Sequence, residues 1–342
     1  MQNFIRLSLR ALHGTESSGS LLRIGWAAPF GYSPCTMRQV PSPLANSRAQ
    51  RRDLVHTRAD SVSSLPAPLR LWHLASLDAP TVAVVWSLAF AWAVHISLPA
   101  WVPLLLALGT WAVYVGDRLL DALAGLRSGN FSRLRERHYF HWRHRGVLLT
   151  LAACASCAAV AIIFEAMPLA ARNRDTILAA AALAYFSGVH AGHGLPGWLR
   201  RSFSKELMVG VLFTAGCAMP AFSRMGMSPN ETASRWPLIV VAIFFGLIAW
   251  LNCQAIECWE SACEFRVSLA GNLGLAGIFL VGLIAPILPR TGALLAAGTA
   301  SALLLALLDV KRRRFLPLTL RAFADVVLLT PMVAIGLGMH RL

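Results

Sequence analysis

Five carboxylates in two short stretches are the side chains of this sequence best suited to chemistry. "GDRLLDAL" carries Asp117 and Asp121, and "NCQAIECWESACE" carries Glu257, Glu260 and Glu264. On helices, the i, i+4 spacing of the first pair and the i, i+3, i+7 spacing of the second set each gather the acids on one face. Like charges so placed repel one another, and a bound divalent cation reverses the sign of that interaction. Mg²⁺ takes one or two carboxylates together with phosphate oxygens and water, so two facing acidic helix ends suit a Mg²⁺-bridged diphosphate.

The elements that must carry these acids are set by composition. Of 342 residues 56% are hydrophobic and 14% charged, which is too much apolar surface for a soluble globule of this length. Apolar stretches long enough to cross a bilayer fall at 79–97, 101–120, 146–168, 175–191, 206–222, 237–254, 267–288, 291–309 and 323–339, nine in all. Period-2 alternation is absent from them, and lipid offers the backbone no partners, so the expected fold is all-α: a polytopic bundle of about nine transmembrane helices. Asp117 and Asp121 close the second span and the glutamates close the sixth.

Basic residues give the orientation. The segments after spans two, four, six and eight hold sixteen Arg and Lys, against six on the opposite side. Positive residues are retained inside, which predicts a cytoplasmic N-terminus and cytoplasmic acidic motifs. The net charge of +15 is then a signal of topology and of contact with anionic membrane lipids, not of nucleic acid. Lys205 and Lys311 are the only lysines, a bias that points to a GC-rich genome and a bacterial inner membrane.

Residues 1–65 differ in kind. Rich in Ser, Arg and Pro and without apolar period, they read as a disordered basic leader, either transit-like or the product of a start placed upstream of Met37, ahead of a membrane domain over 66–342. Cys154 and Cys157 form a C-x-x-C within the third span, where small packing residues are the better account than a redox pair.

With acidic motifs after the second and sixth of nine helices, the chain resembles the UbiA superfamily of intramembrane prenyltransferases. "DRLLD" matches the last two aspartates of the family's first motif, N-D-x-x-D-x-x-x-D, with Val113 and Tyr114 in place of its opening Asn-Asp. In the second segment Asn252 and Glu260 hold the outer spacing, Glu257 stands one residue off register and every acid is Glu. "KELMVGVLFTAGCAMP" looks like the family's fifth helix.

The resemblance implies a transferase that moves an isoprenyl group from a Mg²⁺-bound prenyl diphosphate to an aromatic or other lipophilic acceptor. Asp117, Asp121, Glu257, Glu260 and Glu264 would serve the metal, and Tyr114, Arg118, Lys205 and Asn252 would contact substrate. Two other readings stay open. One is a non-catalytic lipid-binding member of the family. The other is a di-iron membrane hydroxylase, suggested by His138, His141, His144, His190 and His193 on one side of the membrane.

Overall fold

The structure, a computed structural model, describes residues 65–127, 135–190, 205–226, 229–261 and 267–339, so the expected leader lies outside the described residues but for Leu65. Within them the chain is all-helical. Its helices are α1 (Ala67–Leu74), α2 (Asp78–Ala93), α3 (Trp101–Arg127), α4 (Glu136–Arg143), α5 (Arg145–Glu165) and α6 (Leu169–His190). After these come α7 (Lys205–Phe222), α8 (Pro229–Ser261), α9 (Val267–Ile284), α10 (Pro289–Val310), α11 (Pro317–Val327) and α12 (Pro331–Met339).

Among the described residues, six helices are long and apolar enough to cross a membrane, and a seventh is added if α1 and α2 count as one span bent by 89°. This is the architecture of a multi-pass membrane protein. Each of the nine expected stretches contains a helix, but two of these are not long and apolar enough to cross, for identifiable reasons. Span four, α6, opens on Arg172, Arg174 and Asp175, and span five is short at Glu206–Phe222.

The ninth stretch is broken between α11 and α12 by Pro331, which cannot donate a backbone hydrogen bond and obstructs the preceding turn. The carbonyls freed at the break find partners: Leu328 O accepts from Trp86 Nε1 at 2.8 Å and Val327 O from Ser301 Oγ at 2.8 Å. A broken helix at membrane depth persists only with such replacements.

α2 is the axis of the bundle. It is apolar around its whole circumference and packs on α3, α7, α10, α11 and α12, as a helix without a polar face must. Trp86 stacks on Phe245 of α8 with ring centroids 3.9 Å apart, and Phe90 meets the same ring edge-on. α7 closes on α8 where Gly210 lies against Gly246, and a Cβ at Gly210 would press on the α8 backbone. α5 leaves Val147, Leu149, Val160 and Phe164 exposed, the pattern of a lipid-facing helix.

Candidate functional site

Between α3, α6, α7 and α8 lies a cavity of about 670 Å³. Its α3 wall is two parallel i+4 rows, Trp101, Leu105, Gly109, Val113, Asp117, Asp121 and Val102, Leu106, Thr110, Tyr114, Arg118. Twenty residues of helix span about 30 Å, so the cavity runs the depth of a bilayer. Its middle is apolar. One end carries Arg224, whose guanidinium lies over the Trp101 ring, with the ion pair Arg174–Asp175 close by in the sequence of α6. The other end gathers Asp78, Asp117, Arg118, Asp121, Arg137, Glu257, Glu260, Arg321 and Asp325.

Of the residues singled out from the sequence, Tyr114, Asp117, Arg118, Asp121, Asn252, Glu257 and Glu260 all line this one cavity. Asp117 and Glu260 do share a cavity, as expected of the ends of spans two and six. α3 and α8 are linked through α7, which packs on both. Lys205 opens α7, with its side chain outside the described residues, and Glu264 lies outside them altogether.

Glu260 is committed to arginines. Its Oε1 accepts from Arg137 Nη1 at 2.5 Å and from Arg321 Nη1 at 3.0 Å, and its Oε2 from Arg137 Nη2 at 3.0 Å. Arg135 adds a hydrogen bond to the Glu260 carbonyl at 2.6 Å. Burial and the neighbouring Arg321 lower Arg137 to about 10, against the pull of Glu260, and it stays charged at neutral pH. Arg118, on α3, is 4% exposed; its guanidinium lies 5.5 Å from the Tyr114 ring centroid, and its Nε and Nη2 have no hydrogen-bond partner. Buried donors of that kind are costly unless something accepts from them.

Asp117, Asp121 and Glu257 stand on two walls of the cavity. Among the described residues, no three of the predicted acids bring ligand atoms within 4.8 Å of one another. A Mg²⁺ ion between these walls therefore needs phosphate oxygens to complete its shell, as Mg²⁺ sites commonly do.

The histidines of α4 are engaged in structure. His138 Nδ1 accepts from the Arg135 backbone N–H at 2.9 Å in a capping box; His141 reaches the Arg137 carbonyl at 2.8 Å and Ser76 Oγ at 3.2 Å; His144 reaches the Phe140 carbonyl at 2.9 Å. Burial first, and then the charge of Arg137, push His138 down to about 3, and burial pushes His141 down to about 4. The side chains of His190 and His193 lie outside the described residues.

Four residues at the charged end escaped the sequence reading: His73, Asp78, Arg321 in its role beside Glu260, and Asp325. A signal was there, because an ionisable residue inside or at the edge of an apolar span is expensive and is kept for a purpose. Asp78 precedes the first span directly and Asp325 lies in the ninth. The chain matches no family model, no curated protein and no solved structure.

Proposed function

We propose that this chain is an intramembrane prenyltransferase of UbiA type, in which the cavity holds a prenyl diphosphate with its head at the charged end and its tail along α3. The observation that carries the reading is the cavity's shape and polarity: largely apolar along α3 from Trp101 to Val113, about 18 Å of helix, with a dense cluster of acids and arginines beyond it at one end. An isoprenoid chain fits the first feature and a diphosphate the second.

In this reading Arg118 donates to the diphosphate, and Arg137 and Arg321, held by Glu260, add positive potential where negative charge grows as the allylic C–O bond breaks. Asp117, Asp121 and Glu257 would share Mg²⁺ with the diphosphate oxygens, and that ion would supply further neutralisation of the leaving group. The apolar walls shield the allylic cation from water until the acceptor attacks it.

Titration of a non-hydrolysable prenyl diphosphate into detergent-purified protein, with and without Mg²⁺, tests the binding step. Asp121→Asn is expected to weaken binding only when Mg²⁺ is present, and to strengthen it without metal by removing a negative charge near the ligand. Unchanged Mg²⁺-dependent affinity in both Asp121→Asn and Glu257→Gln would remove the acids from the site.

A further inference from the structure

At the floor of the charged end, three residues from three helices meet. His73 comes from α1, Asp78 from the first residue of α2 and Asp325 from α11, and their ligand atoms all lie within 4.8 Å of one another. The corner between α1 and α2 makes this possible. Ser76 takes the left-handed conformation, with φ 57°, and folds α1 across the start of α2 so that His73 faces Asp78. A serine in that region is uncommon, and the Ser76 hydroxyl contact to His141 helps to hold it.

Each carboxylate is anchored by one oxygen and presents the other. Asp78 Oδ1 accepts from the Ala79 N–H at 2.9 Å, and Asp325 Oδ1 from Asn252 Nδ2 at 3.3 Å. The two Oδ2 atoms converge on His73 Nδ1, at 2.8 and 3.5 Å. Nδ1 makes no well-directed hydrogen bond to either oxygen, and Nε2 has no partner. His73 is wholly buried.

The geometry points to a divalent-cation site formed by His73 Nδ1, Asp78 Oδ2 and Asp325 Oδ2. Neighbouring ligands are about 3.0 Å apart around an octahedral ion and about 3.3 Å apart around a tetrahedral one, a spacing that the observed contacts bracket. A single Nδ1–H can serve only one carboxylate at a time, whereas a cation would draw on the nitrogen and both oxygens together. One imidazole with two carboxylates suits a first-row ion such as Mn²⁺ better than Mg²⁺ or Ca²⁺, which prefer all-oxygen shells. Asn252 then acts as a positioning residue that fixes the Asp325 carboxylate. Asp78 and Asp325 also line the cavity, as do Arg118 and Arg321, so the site adjoins its charged end.

The inference stands apart from the transferase reading, since its probe is Mn²⁺ alone. Chelator-stripped, detergent-purified full-length protein is titrated with Mn²⁺, and the free ion is read by its electron paramagnetic resonance signal. One bound ion per chain is expected. His73→Ala and Asp325→Asn should each weaken it at least a hundredfold, Asn252→Ala by about tenfold to a hundredfold, and Asp175→Asn, a carboxylate at the opposite end of the cavity, should leave it within twofold. If His73→Ala fails to fold, Asp325→Asn and Asn252→Ala carry the same comparison. No bound Mn²⁺ in the native chain, or binding that survives His73→Ala or Asp325→Asn but falls with Asp121→Asn, would overturn the site.

Discussion

Glu260 and Arg137 meet in a two-pronged ion pair, Oε1 to Nη1 at 2.5 Å and Oε2 to Nη2 at 3.0 Å, that ties the surface helix α4 to the end of α8. Arg321 of α11 joins the same carboxylate at 3.0 Å. Removing Glu260 would leave two arginines, 12% and 15% exposed, without their counter-charge. Glu260→Gln is therefore expected to cost about 3 kcal/mol of stability, as breaking a buried pair generally does. Arg137→Met combined with Glu260→Met should cost less than the two single changes added together. Thermal unfolding in detergent reads both.

Acid should destabilise the α4 region. His138 and His141 stay neutral in the folded chain down to about 3 and about 4, whereas in the unfolded chain they take up protons near 6.5. The unfolded state thus binds more protons across that window, so stability present above pH 6.5 declines as the pH falls toward 4, by up to about 1.4 kcal/mol per unit for each histidine. Melting temperatures of the native chain and of His138→Gln/His141→Gln at pH 7.5, 6 and 5 check this: the variant should show a shallower fall.

Much of this was legible in the sequence, and what was missed has a physical cause. Apolar run length located the six helices long and apolar enough to cross a membrane, and a seventh span in the bent pair α1 and α2, because hydrophobic length is what a bilayer selects. It could not show that Pro331 breaks the last one, since that break survives only through Trp86 and Ser301, which lie far from it in the chain. The i+4 spacing of Asp117 and Asp121 placed them on one face and in one cavity. The pairing of Glu260 with Arg137 and Arg321 depends on α4 and α11 folding back over the end of α8, and no local spacing encodes that. His73, Asp78 and Asp325 are brought together by the Ser76 corner and by α11, so their proximity is visible only in three dimensions.

Gly109 offers a measure of what the cavity holds. It lies about 12 Å along α3 from Asp117, lines the cavity, and a Cβ there meets nothing within 4 Å. Gly109→Phe should therefore fold normally while its ring blocks the apolar channel. Competition binding with prenyl diphosphates of graded length is expected to show a loss of affinity for long chains and little change for the shortest.

The break before Pro331 should be sensitive to its substitutes. Ser301→Ala removes the donor to the Val327 carbonyl and is expected to cost about 1 kcal/mol, the usual size of such a bond within a membrane. A thermal shift in detergent measures it, with Ser301→Thr restoring most of the loss.

The central claim is that the charged end of the cavity receives a diphosphate whose departure the arginines promote. Its most direct test is diphosphate release from radiolabelled prenyl diphosphates of graded length, supplied with a lipophilic aromatic acceptor to membranes containing this chain. The account predicts Mg²⁺-dependent release that falls by about tenfold to a hundredfold in Arg118→Met, the loss of a charge-assisted contact made by a buried donor. No release and no binding with any chain length, or release untouched by Arg118→Met, would contradict it.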